Sequence, residues 1–85
     1  MSVKLSPAEY VIKVFGGVRA TARAIGYVPS AVSKWRWQGG GNIPTVAQEL
    51  IYDIAQDRGL DITPHDLIKG REVSFGQEVK VEEGA

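Results

Sequence analysis

This 85-residue sequence predicts an all-α domain of five helices followed by a C-terminal tail of strand character. Three observations predict it. Each proline stands where a helix can begin, the position at which its missing N–H costs nothing. Glycines stand where those helices would end, at Gly16 and Gly17, Gly26, Gly39 to Gly41, Gly59 and Gly70. Between these marks apolar residues recur at helical spacing, and only after Gly70 does the period fall to two.

The first helix is expected over 7–15. Ser6-Pro7-Ala8-Glu9 has the form of a capping box, with Ser6 as N-cap and Glu9 reaching back, and Val11, Val14 and Phe15 make the inward stripe. The second, 18–25, clusters Val18, Thr21, Ala22 and Ile25 and leaves Arg19 and Arg23 one turn apart on an outer flank. Gly26-Tyr27-Val28 turns the chain into a third helix over 29–37. The fourth, 44–58, opens at Pro44 and places Val46, Ala47, Leu50, Ile51 and Ile54 on an inward face, with Gln48, Glu49, Asp53 and Asp57 opposite. Thr63-Pro64-His65-Asp66 nearly repeats the capping box and opens a short helix over 64–69, with His65 a surface residue. The helical domain is therefore 1–70 and the tail 71–85. In the tail Val73, Phe75, Val79 and Val81 alternate with polar residues, as in a strand. A loop at Gly76-Gln77-Glu78 would fold it into a hairpin, a single strand would pair with a symmetry mate, and a disordered tail is the third reading.

Composition narrows the function. At 44% hydrophobic, the chain is sized for one small domain, since so short a chain buries only about 60 to 65% of its unfolded surface. No apolar run approaches a membrane span and MSVKLSPAEY has no signal-peptide core, so a cytoplasmic protein is expected. Without cysteine, and with His65 as the one histidine, no thiolate zinc site or other metal or cofactor site is expected. Asp53, Asp57 and Asp61 lack the alternating ligand loop of a calcium site and read as solvated charge. No cysteine nucleophile, phosphate loop or acid-paired histidine argues for an enzyme. The net charge of zero sums two unlike parts: residues 1–41 carry six cations against Glu9, and residues 42–85 carry four against nine carboxylates. One face suited to a polyanion is the implication.

The segment SKWRWQGGG, Ser33 to Gly41, holds both tryptophans. On a helix of 100° per residue, Ala31, Val32 and Trp35 face one way; Pro29, Ser30, Ser33, Lys34 and Trp37 face the other, with Arg36 beside them. Two short helices, a turn opening on glycine, and a second helix whose outer face is small, polar and basic make a helix-turn-helix reader. Ala22 lets the helices approach, Gly26 permits a left-handed turn, and Val32 with Trp35 anchors the second helix. Short donors and acceptors at Ser30 and Ser33 suit a groove floor, and Lys34 reaches a guanine acceptor or a phosphate. Arg19, Arg23 and Arg36 lie where flanking phosphates would run, and Trp37 would pack on the sugar-phosphate backbone or a thymine methyl, meet a partner protein, or tuck beneath the fourth helix.

The stretch VRATARAIGYVPSAVSKWRW, residues 18–37, resembles the helix-turn-helix of Cro-type and repressor-type phage regulators, including the YdaS-type branch, some of which are described as antitoxins. Ala22, Gly26, Val32 and Trp35 fall on that family's structural positions, and Ser30-Ala31-Val32-Ser33-Lys34 is similar to its base-reading segment. IPTVAQELIYDIAQDRGLDITPHDLI resembles the branch's later helices, so the likeness spans roughly residues 7–70. It implies a lambda-repressor-like fold and a sequence-specific repressor of double-stranded DNA, usually a homodimer. Val18 stands where many members have a glutamine and Pro29 where they have a polar residue, which leaves readout to Ser30, Ser33 and Lys34. The dimer contact is assigned to the tail, at Val73, Phe75, Val79 and Val81. A protein-interaction module on the same fold is the second expectation, with Trp37 and the tail as its adhesive surfaces.

Overall fold

The computed structural model describes residues 2–74. In chain order they form β1 (Ser2–Leu5), α1 (Pro7–Phe15), α2 (Val18–Ile25), α3 (Pro29–Lys34), α4 (Thr45–Arg58), α5 (Pro64–Lys69) and β2 (Arg71–Ser74). The domain is mostly helical, as expected, but not purely so. β1 and β2 pair antiparallel, with Val3 opposite Val73 and Lys4 opposite Glu72. The strand pattern of the tail thus finds its partner in the same chain, at an N-terminal segment not expected to be a strand. Residues 71–74 are tied back to the body rather than standing apart from it. Phe75, Val79 and Val81, and the hairpin loop at 76–78, lie outside the described residues.

α1 is the centre of the core. Ser6 accepts from the Glu9 N–H at 3.2 Å, and the Glu9 carboxylate accepts from the Ser6 N–H at 3.0 Å, completing the capping box. The Ala8 N–H, another of the first-turn donors a helix cannot satisfy itself, donates to the Gly41 carbonyl at 3.0 Å. Ala8, Tyr10, Val11, Ile12, Val14 and Phe15 are all buried, so the helix is apolar around most of its circumference and the others pack around it.

α2 begins after Gly17, whose carbonyl accepts from both the N–H and the hydroxyl of Thr21. That satisfies the buried Thr21 hydroxyl, at 2.8 Å. Ala22 and Ile25 are buried against α1 and α3, and Gly26 ends the helix at φ 77°, where a side chain would cost about 1–2 kcal/mol. Both the Gly26 and the Tyr27 N–H donate to the Ala22 carbonyl, which fixes the turn into α3.

α4 differs from expectation in its facing. Ala47, Ile51 and Ala55 form the buried stripe, Ile54 is half-buried, and Val46 is 75% exposed with Leu50 beside it at 37%. The inward face is narrow because alanines let α4 lie close to the core, leaving the flank of Val46 and Leu50 in solvent. Pro44 precedes the helix as its N-cap residue instead of opening it.

α5 is capped as α1 is, with Thr63 and Asp66 in the reciprocal roles. Asp66 is buried and accepts from the Arg71 guanidinium at 2.9 and 2.5 Å, while Asp61 accepts from the same guanidinium at 2.6 Å. Asp61, expected to be a solvated charge, is therefore part of an ion-pair network that holds β2 against α5. Among the described residues no helix is long and apolar enough to cross a membrane.

Candidate nucleic-acid interface

The three residues expected to read a base edge lie on α3, and none faces the core. Ser30 and Lys34 are exposed and Ser33 is half-buried. Behind them Val32 is fully buried and Trp35 is 7% exposed. The local cause is helix periodicity: Val32 and Trp35, three apart, share one face and take the helix onto the core. Trp35 is further fixed by Tyr27, whose ring meets it edge-on at a centroid distance of 5.6 Å and an interplanar angle of 69°.

α3 is shorter than the expected 29–37. After Lys34 the chain tightens: Trp35, Arg36 and Trp37 donate to the carbonyls of Val32, Ser33 and Lys34, three residues back, before Gln38 bonds back to Lys34. Such turns satisfy carbonyls that a helix end leaves open, and three glycines immediately downstream remove any propensity to continue. Each residue in a threefold turn advances about 120° instead of 100°, so Trp37 is rotated by about 60° from the azimuth a regular helix would give it. It nevertheless stands out in solvent, 65% exposed, and does not tuck beneath α4.

Arg36 is exposed, and its guanidinium donates to the Ser33 hydroxyl oxygen at 3.2 Å. This couples two residues expected to do different work, one on a base and one on a phosphate. The Ser33 oxygen accepts from Arg36 while its O–H stays available to an acceptor elsewhere.

Arg19 and Arg23 are exposed on α2, as the sequence indicates. They do not stand alone. With Ala22, Tyr27 and Pro29 they line a concavity of about 380 Å³ at the junction of α2 and α3. Tyr27 is the residue that sequence reasoning missed. Its signal was present, because it follows Arg23 by four residues as Arg23 follows Arg19, but Gly26 ends the helix between them and a helical projection stops there.

The loop after α3 is anchored at Gly41, and Ile43 is buried in the core beyond it. Gly41 is buried at φ 85°, and a β-carbon there would overlap the Ser6 side chain. Gly39 and Gly40 have open space around them. Trp37 is thus carried on a stretch fixed at Lys34 and again at Gly41. Of the residues assigned to dimerisation, Val73 is half-buried and paired with Val3 of its own chain.

Comparison with known protein families, with curated proteins and with solved structures returned no match.

Proposed function

We propose that the chain is a sequence-specific, double-stranded DNA-binding regulator of helix-turn-helix type, most akin to the Cro-like repressors of phage and prophage. α2 and α3 are the two helices of the motif and Gly26 to Val28 its turn. α3 enters the major groove, with Ser30, Ser33 and Lys34 toward base edges. Arg19, Arg23 and Arg36 neutralise flanking phosphates and Trp37 packs on a sugar beside them. The observation that carries this reading is that one side of α3 presents the exposed Ser30 and Lys34 with the half-buried Ser33 between them, while Val32 and Trp35 bury the other.

A homodimer fits the reading best. Two copies would read half-sites with centres about 34 Å apart. β2 is one of only two strands in its sheet among the described residues, and its second edge is where a strand of another copy would add.

The test is selection of bound duplexes from a random library at two salt concentrations. A palindromic site, with a log–log salt slope of about −7 for about eight neutralised phosphates, is the expected result. A slope near zero would sink the reading.

One observation favours a second reading, a protein-interaction module on the same fold, in the manner of an antitoxin or phage accessory protein. Trp37, Val46 and Leu50 are exposed, at 65%, 75% and 37%, and large apolar side chains in solvent are what a partner protein covers. Retention of nucleic acid after Lys34 and Arg36 are both replaced by alanine would favour that reading over groove recognition.

A further inference from the structure

The concavity between α2 and α3 gathers two of the phosphate-directed arginines of the DNA-binding reading around Tyr27, a residue to which that reading gives no role. Its lining is Arg19, Ala22, Arg23, Tyr27 and Pro29. Two guanidiniums supply charge, the Tyr27 phenol supplies a neutral O–H, and Ala22 and Pro29 add no competing polar side chain. No carboxylate lines it. A site with three side chains able to donate and no anionic side chain is matched to an anion, and two arginines one turn apart suit the non-bridging oxygens of a phosphate.

Its position narrows the class. Pro29, on its rim, is the first residue of α3, and Ser30 follows directly. An anion seated here lies at the entry of the helix assigned to the groove, where one strand of a duplex must pass if α3 lies between its two backbones. The Tyr27 ring is held edge-on by Trp35, which itself anchors α3, so the phenol and the reading helix are fixed to the same indole. Ala22 is buried at the back of the concavity, where a larger side chain would fill the space an oxyanion needs.

We propose that this concavity is the seat of a single DNA backbone phosphodiester, with Arg19 and Arg23 as its charged ligands and Tyr27 as a third, neutral one. The seat fixes the register of α3 along the groove. The proposal rests on the DNA-binding reading above and assigns to Tyr27 a role that the base-reading residues do not have.

The test uses the full chain and a duplex recovered by selection, in versions carrying one methylphosphonate at successive backbone positions. Each version deletes one phosphate charge. The expected profile for the unsubstituted protein has one position per half-site at which binding weakens about tenfold or more, the scale of a hydrogen bond to a charged group. In Arg19→Gln and Tyr27→Phe that particular sensitivity shrinks, while the other positions keep theirs. Phenylalanine retains the ring that meets Trp35, and an unchanged melting temperature verifies that the fold is intact. Profiles of both variants indistinguishable from the parent would overturn the phosphate seat, even where Lys34→Ala still abolishes specific binding and upholds the wider reading. Binding that ignores both duplex sequence and Lys34→Ala overturns the wider reading and this seat together.

Discussion

The guanidinium carbon of Arg71 lies 4.6 Å from the centroid of the Tyr10 ring, over the face of a fully buried residue of the central helix. On its polar edge the same guanidinium donates to Asp61 and Asp66. One side chain of β2 therefore reaches α1, α5 and the loop between α4 and α5.

Arg71→Ala should be among the most damaging single changes near the surface. It strands the buried Asp66 carboxylate, and removing one partner of a buried pair costs about 3 kcal/mol or more. The Asp61 side chain is 61% exposed and adds little to that. Urea unfolding is the measurement. A loss below about 1 kcal/mol would mean that water replaces the arginine at Asp66.

The same cluster sets two pH limits. Burial pushes the Tyr10 phenol up to about 12 from 10.0, although the neighbouring Arg71 charge acts the other way. The folded value lies above the unfolded one, so this contribution is complete below about pH 10 and is lost as pH rises toward 12. Hydrogen bonds from Arg71 hold the Asp61 carboxyl below its usual 3.8, so its contribution is present above that value and fades as pH falls beneath it. Unfolding free energy measured across pH should decline at both ends. Tyr10→Phe should flatten the alkaline decline while costing about 1 kcal/mol at neutral pH, from loss of the 2.6 Å hydrogen bond to the Asp61 carbonyl.

Gly41 and Gly40 offer a paired test of the loop that follows α3. Both have positive φ, 85° and 73°, but only at Gly41 would a β-carbon overlap another residue, the N-cap Ser6. Gly40→Ala should cost about 1 kcal/mol from backbone strain alone. Gly41→Ala should cost clearly more, about 3 kcal/mol, because either Ser6 or the loop must move and the Ala8 to Gly41 hydrogen bond is disturbed. Equal melting temperatures for the two variants would contradict the anchored loop.

The tryptophans should separate stability from binding. Trp35→Ala removes a buried anchor and should cost about 3–5 kcal/mol. Trp37→Ala should stay within about 0.5 kcal/mol of the parent, since its side chain is mostly in solvent. Fluorescence gives a direct check: in Trp37→Phe the remaining emission should be blue-shifted and shielded from iodide, and in Trp35→Phe red-shifted and quenchable.

What was legible in the sequence is what local chemistry decides. The boxes at Ser6 and Thr63 and the glycines ending α1, α2 and α4 carry their reasons within a few residues, so those boundaries follow from the chain itself. β1 did not, because Ser2–Leu5 has too few residues to display a period and its partner comes from the far end of the described chain. The outward turn of Val46 and Leu50 was hidden by residue type: hydrophobicity ranks them above Ala47 and Ala55, yet it is these two alanines, one turn to either side of the buried Ile51, that let α4 close on the core. Asp61 looked like ordinary surface charge because nothing near it in sequence announces Arg71. Ser30, Ser33 and Lys34 were legible as an outward face since Val32 and Trp35 determine the inward one, whereas Tyr27 emerged only when the turn brought it beside Arg19 and Arg23.

The 3.2 Å hydrogen bond from Arg36 to the Ser33 hydroxyl makes these two residues a unit, and binding measurements should find them non-additive. In the free protein Ser33 orients a flexible guanidinium, and that orientation is lost in Ser33→Ala even if the hydroxyl never touches a base. Arg36→Ala removes the charge itself and frees the hydroxyl. If Ser33 acts mainly by aiming Arg36, the double variant should bind a selected duplex no more weakly than Arg36→Ala alone, and Ser33→Ala should leave base preference intact. If Ser33 reads a base in its own right, the losses should add to within about 0.5 kcal/mol and the preferred base at one position should relax. Measuring all four proteins against the selected duplex and its single-base variants decides between them. The proposed role of Ser33 as a base reader predicts partial coupling, in which base preference relaxes at one position and the summed single losses still exceed the loss in the double variant.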